Sequence, residues 1–295
     1  MSMTKLPTVS IVIPAYNESA TIEKCLASIL DQSVMPEEII VVNNMSTDTT
    51  VEKVDAFHAS HPDAPIRLLH QSAQQGLVPT RDYGIAHARS EVIGRIDADS
   101  TLDHGWVAAV QRAFADPDVA AASGPVVYND MPAKNVGFRA DNHIRSTLDK
   151  LAVSHRFLFG SNMAVRKSVW DKVVSSLCQT DASMHEDIDI ALHLFRAGYN
   201  VAYLPDMIGG MSARRLEDSP KDFYRYVMRF ENTYKHHGIK SASARIPIFI
   251  YLTTYFPLKF VRFTYDGDEQ KFTFAKFRQL IKSHQGDDAD DEIVI

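Results

Sequence analysis

Asp97-Ala98-Asp99 closes the apolar run Val92-Ile93-Gly94-Arg95-Ile96, which sets two carboxylates where a buried strand leaves a sheet. Carboxylates so placed suit a hard divalent cation, Mg²⁺ or Mn²⁺, and through it a diphosphate, because such ions take carboxylate and phosphate oxygens. The triplet alone says little. Asp-x-Asp also begins at Asp116, Asp187, Asp266 and Asp288, about what an Asp-rich composition produces by chance. Only the Asp97 copy ends a strand in this way, and a solvated loop pair is the alternative there.

A second candidate lies at Ser183-Met184-His185-Glu186-Asp187, followed by Ile188, Ile190, Ala191 and Leu194 at helical spacing. The pattern reads as a capping box opening an amphipathic helix, which makes a structural role available to Glu186. Asp187 falls in the first turn, where the helix dipole favours the ionised carboxylate that a general base needs. A dipole-stabilising surface acid is the alternative. His185 could ligate a metal, although a histidine beside a cap is more often solvated. Arg214-Arg215 follow the glycine pair Gly209-Gly210, and guanidinium on a glycine-hinged loop, Arg215 in particular, is suited to closing over phosphate. Ordinary solvated loop arginine is the rival reading.

The elements that must hold these groups alternate. Val9 to Ile13 reads as a first strand stopped by Pro14, with Ile22, Leu26, Ile29 and Leu30 recurring at helical spacing behind it. Ile39 to Val42 and Ile66 to Leu69 make further strands, each followed by a helical pattern, before Val92 to Ile96. Strand and helix in alternation predict an α/β fold with a doubly wound, mainly parallel sheet. Ligands then bind beyond the carboxyl ends of the strands. Pro14-Ala15-Tyr16-Asn17-Glu18, Asn43 to Asp48, and Asp97 to Asp99 all fall on that edge. No GxGxxG follows the first strand and no GxxxxGK[ST] occurs, so a diphosphate there would be held most simply by metal. Beyond Asp99 a helix is expected around Trp106, Val110 and Phe114 and a strand near Val119 to Ser123. A polar stretch from Arg139 to Arg156 then precedes a small-residue turn at Gly160-Ser161 and a helix carrying Val165, Val169 and Trp170. Small residues in that turn would let backbone approach a ligand, or would simply make a tight turn.

The 295 residues, 45% hydrophobic, are enough for an ordinary globular core. Five of the negatives sit in the tail at Asp287, Asp288, Asp290, Asp291 and Glu292, so the remainder of the −6 chain is close to neutral and no nucleic-acid partner is expected. The two cysteines, Cys25 and Cys178, read as reduced core or helix residues of a reducing, cytoplasmic protein. Met1 to Thr8 has no leader-like pattern. Residues 1–220 are expected to form the catalytic domain, 221–286 a helical, amphipathic extension, and 287–295 an acidic disordered tail. Within the extension, the apolar run from Ile246 to Leu258 is interrupted by Pro247, Pro257 and Lys259 and falls short of a membrane span. Residues 245–263 suit peripheral contact with the inner face of the cytoplasmic membrane, packing on the chain's own core, or a homodimer contact.

With Pro14 to Glu18, Ser46-Thr47-Asp48, Arg81-Asp82-Tyr83-Gly84, Asp97-Ala98-Asp99 and His185-Glu186-Asp187 in this order, the chain resembles family 2 glycosyltransferases of the GT-A (Rossmann-like) fold over roughly residues 8 to 215. The resemblance implies donor binding by Pro14, Ala15, Tyr16, Glu18, Asn43, Arg81 and Asp97. It implies a divalent metal on Asp99 and Asp97, and Asp187, beside Glu186, as the catalytic base. The activity implied is transfer of one sugar, with inversion, from a nucleotide-diphosphate sugar, UDP-linked by preference, to a glycan or lipid-linked hydroxyl in envelope or surface polysaccharide synthesis. The family commonly has Asp where this chain has Asn43. The Gln-x-x-Arg-Trp signature of polymerising relatives is absent. A nucleotidyltransferase would need a Gly- and basic-rich loop after the first strand, which Pro14 to Glu18 does not supply; a non-catalytic sugar-nucleotide-binding module is the other alternative.

Overall fold

The computed structural model describes residues 5–151, 156–178, 183–240, 245–267 and 269–273. Three βα steps and a fourth strand build its first half: β1 (Val9–Ala15), α1 (Ile22–Leu30), β2 (Glu38–Asn43), α2 (Thr50–Ser60), β3 (Ile66–His70), α3 (Leu77–His87) and β4 (Val92–Ile96). After them come β5 (Thr101–Leu102), α4 (Trp106–Phe114), β6 (Val119–Ser123), β7 (Val126–Tyr128) and α5 (Lys134–Leu151). The chain continues through β8 (Asn162–Arg166), α6 (Lys167–Val173), α7 (Glu186–Arg196), β9 (Asn200–Tyr203), β10 (Gly209–Met211), α8 (Pro220–His236) and α9 (Ile246–Thr264). Seven strands form one sheet in the order β3-β2-β1-β4-β8-β6-β9, with β8 antiparallel to both its neighbours and the rest parallel to theirs. A smaller sheet, β5-β10-β7, stands beside it.

The sheet is buried on both faces, as βα crossovers require. Ile11, Ile13, Ile39 and Val41 meet α1 and α4 through Leu26, Ile29, Trp106 and Val110 on one face. Val12, Ile40, Val42 and Ile93 meet Ile85, Trp170, Ile190 and Leu194 of α3, α6 and α7 on the other. Gly84 lets α3 sit directly on the strands, since a Cβ there would lie 2.5 Å from Val12 Cγ1 and 2.8 Å from Val42 Cγ2.

Three sequence expectations are corrected, and a stretch given no secondary structure from the sequence is placed. β1 runs through Pro14 to Ala15 rather than stopping before it. Its odd-numbered residues hydrogen-bond β2, as Ala15 does in accepting from Asn44 N–H, while even-numbered ones face β4, whose pairing ends at Val12. The N–H that Pro14 lacks is therefore not needed. Val165 lies in strand β8, not in the helix that follows; no turn residue separates the two. The polar stretch after Arg139 lies largely in α5, an 18-residue helix tied down by Arg145, which pairs with Asp141 at 2.7 Å and stacks 3.7 Å over the Phe159 ring. Gly209-Gly210 is no hinge but the core of β10, paired to β5 and β7, and a Cβ on Gly210 would collide with Thr101 and Asn129.

Helices α8 and α9 pack on the preceding elements through Phe230 and Tyr234 against Ile188 and Leu192, and through Phe223, Val227 and Tyr255 against Ala213 and Leu216. Among the described residues no helix is long and apolar enough to cross a membrane. The expected acidic tail lies outside the described residues.

Candidate active site

The carboxyl ends of β1, β2 and β4 converge, and side chains stitch their loops together. Asn17, held at φ +55°, accepts from the backbone N–H of Thr47 at 2.8 Å, while its own N–H donates to Ser46 Oγ. Asn and few other residues adopt that left-handed conformation readily. Asp48 accepts from Thr50 and Ser19, and these hydrogen bonds lower its pKa to about 2. Asn43 uses its amide oxygen within its own loop, accepting from Ser46 N–H at 3.1 Å, and its amide nitrogen faces His70 Nδ1 of β3 at 3.2 Å. Pro14 and Ala15 are buried strand residues, and Tyr16, about half exposed, is the aromatic that stands free at this edge.

Glu18 and Asp99 share one guanidinium. Arg214 reaches Glu18 Oε1 at 3.1 Å and Asp99 Oδ2 at 3.0 Å from the turn Arg214–Glu217. Arg215 turns away, pairing with Asp218 at 3.2 Å and lying over the Tyr226 ring, so the arginine singled out in the sequence is corrected by one position. Burial pushes the Asp99 carboxyl up to about 6 against the pull of Arg214, helped by the neighbouring Asp97 and Glu18. A nearly buried carboxylate beside two others asks for a cation, and these oxygens are the donor set a hard divalent ion takes. Arg214 supplies that charge here.

Beneath them runs a relay of buried charge. Arg81, 4% exposed, is ion-paired to both Asp97 and Glu186, the latter at 2.7 Å. Arg95, 1% exposed, meets the other oxygen of Glu186 at 2.7 Å. Burial opposes ionisation of Glu186, but the two arginines outweigh it and hold its pKa below the ordinary value. The capping box expected at Ser183 to Glu186 is therefore corrected: the helix N-cap is His185, with no side-chain cap, and Glu186 points into the charge relay. Asp82, on α3, is pushed up to about 6 by burial and by Glu186.

Asp187 stands at the open end of this relay. Its Oδ2 accepts from Gly160 N–H at 3.0 Å and its Oδ1 from Ile188 N–H at 3.0 Å. Two backbone donors fix the carboxylate in one orientation. The expected close approach at Gly160 is made toward this carboxylate and Arg95, because a Cβ there would lie 2.6 Å from Arg95 Nη2 and 3.5 Å from Asp187 Oδ2. His185 is buried rather than solvated, wedged between the rings of Tyr226 and Phe230, with Nδ1 3.9 Å from Asp187 Oδ1. Sequence reasoning gave no role to Arg95 and quoted Asp82 only within a motif. Arg95 could have been suspected from a lone charge inside an apolar strand, since a charge there must find a partner.

The profile described as "Glycosyl transferase family 2" matches residues 10–174. The chain is 24% identical over 222 residues to Glycosyltransferase AglE of Haloferax volcanii, a match covering 75% of this chain and 72% of that protein. It is 40% identical over 94 residues to the uncharacterized glycosyltransferase EpsJ of Bacillus subtilis, covering 32% of this chain and 26% of the relative. Several relatives are thus matched over less than half their own length. Among solved structures, a mannosyltransferase from Pyrobaculum calidifontis in complex with GDP-Man and Mn²⁺ superposes with a TM-score of 0.60 at 19% identity, over 97% of this chain and 82% of that one. GalNAc-T7 with UDP, GalNAc and Mn²⁺ superposes at 0.54 and 14% identity, over 86% and 59%. These structures share the GT-A fold with this chain.

Proposed function

The chain belongs to glycosyl transferase family 2, and from that premise we propose that it moves one sugar from a nucleoside-diphosphate donor to a hydroxyl acceptor with inversion at the anomeric carbon. The observation that carries this reading is the division of the sheet edge into a cation-seeking cluster, Glu18, Asp97 and Asp99, and a separate carboxylate, Asp187, oriented by two backbone N–H groups.

The nucleotide would lie along the stitched loops of β1 and β2, with Tyr16 free to stack on the base. Asp97 and Asp99 fit a divalent cation by donor chemistry, and when bound that ion would supply positive charge to the departing diphosphate. The mannosyltransferase and GalNAc-T7 structures, both with Mn²⁺, support this choice of ion. Arg214 would release Glu18 and Asp99 as donor enters and pair instead with phosphate oxygens, which its fork of N–H groups matches. Asp187 would take the acceptor hydroxyl's proton while that oxygen attacks the anomeric carbon and the bond to the diphosphate breaks. Glu186, locked between Arg81 and Arg95, would position Asp187 rather than act itself. A cytoplasmic protein resting on the membrane surface through α9, with a lipid-linked or nascent surface glycan as acceptor, completes the proposal.

Calorimetric titration with UDP, GDP, CMP and dTDP, each with and without Mn²⁺, tests the donor half. We expect Mn²⁺-dependent binding of one nucleotide, UDP first, lost in Asp99→Asn; affinity indifferent to Mn²⁺ would overturn the metal assignment. The anomeric configuration of the product, read by NMR against that of the donor, tests inversion.

A further inference from the structure

Helix α7 carries a second group of ligating side chains past the catalytic pair. Asp189 and His193, one turn apart, face His237 at the end of α8, and one potential ligand atom from each lies within 4.8 Å of the others. His237 Nε2 is 2.6 Å from Asp189 Oδ1, and His193 Nε2 is 3.6 Å from that same oxygen. Asp189 is 1% exposed and His237 8%. Beside them the Cys178 thiol is 3.2 Å from His236 Nε2, and Cys178 N–H donates to the other oxygen of Asp189 at 2.8 Å.

The geometry points to a second cation site, separate from the donor site, in which Asp189, His193 and His237 bind a borderline transition-metal ion such as Zn²⁺. Two imidazoles and one carboxylate are a donor set for zinc, whereas Mg²⁺ and Ca²⁺ prefer oxygen alone. The charged neighbour is Arg196, which donates to His237 Nδ1 at 2.8 Å and to the His237 carbonyl at 2.6 Å. In that arrangement the ring proton sits on Nε2 toward Asp189. Zinc at Nε2 would move it to Nδ1, with Arg196 keeping its carbonyl bond and giving up the ring. The purely structural alternative is an Asp189–His237–Arg196 hydrogen-bond chain that binds nothing. A metal here would tie the segment around Cys178, α7 and the end of α8 together two residues from Asp187, so it would brace the base without touching substrate.

The test is Zn²⁺ titration of the full chain by calorimetry, with Co²⁺ absorption as a report on ligand geometry and thermal melting as a report on bracing. We expect one Zn²⁺ per chain that survives Asp99→Asn, weakens at least about tenfold in His193→Ala, and raises the melting temperature of the unmodified protein but not of that variant. His193 is half-buried, so the alanine variant should fold. Asp189→Asn, which keeps the shape and removes the charge, provides the second variant and should also lose zinc. No zinc binding by the unmodified chain, or equal binding by both variants, would overturn the site.

Discussion

Asp187 and Glu186 are neighbours in sequence, and the base and positioning roles proposed for them can be separated by experiment. Asp187→Asn should leave nucleotide affinity intact and lower transfer by about 10²-fold or more, the scale of a positioned base; normal turnover in that variant would remove Asp187 from the role. Glu186→Gln should instead destabilise the fold by about 3–5 kcal/mol, because Arg81 and Arg95 would be left as buried cations short of a counter-charge, and denaturant unfolding would show it. Asp82 supplies a pH signature. Its folded pKa, raised to about 6, exceeds its unfolded value, so the extra proton stabilises the native state at low pH and that contribution is lost as pH rises through 6. Asp82→Asn should therefore melt above the unmodified protein at pH 8, with the gap closing toward pH 4; a constant gap would mean the carboxyl is not strained. At this scale the residue types were legible from their spacing along the chain. Their partners were not: whether Arg214 or Arg215 turns inward depends on the rotation of one short turn that no periodicity records.

At the scale of elements, two devices hold the site. Gly160 permits the backbone to reach Asp187, and Gly160→Ala should drive Arg95 or Asp187 from its place. We expect transfer to fall while donor affinity holds, because the donor cluster is built on other strands. Asn162 of β8 joins the large sheet to its surroundings: it accepts from Trp106 Nε1 at 2.8 Å and donates to the carbonyls of Pro125 at 2.9 Å and Met207 at 2.8 Å, all buried. Asn162→Ala should cost at least about 2 kcal/mol through stranded polar groups, visible as a lower unfolding midpoint. The alternating βα steps were readable because each buried strand is a compact apolar run. Strand β8 and helix α5 were not, since β8 passes into α6 without a breaker and α5 is polar on most of its surface, held largely by Asp141, Asn142 and the buried Arg145.

Among the described residues, α9 presents an apolar face to solvent. Along α9, Phe249, Phe256 and Phe260 are each more than 60% exposed, on the side opposite Pro247 and Tyr255, which pack inward. If that face rests in a membrane interface, as proposed, Phe249→Glu with Phe256→Glu should abolish co-sedimentation with anionic vesicles while leaving donor binding unchanged; vesicle binding that persists would assign the face to another partner. The chain's own sequence determined the alternation of strands and helices, the sheet edge to which Glu18, Asp97 and Asp99 belong, and the helix whose first turn carries Asp187, because burial periodicity and strand ends are local properties. Only the tertiary structure decided that Arg214 stands between Glu18 and Asp99, that Glu186 is clasped by Arg81 and Arg95, and that Gly160 reaches across to Asp187. Those are contacts between positions up to 196 residues apart, and each charge depends on a partner that only the folded chain brings beside it.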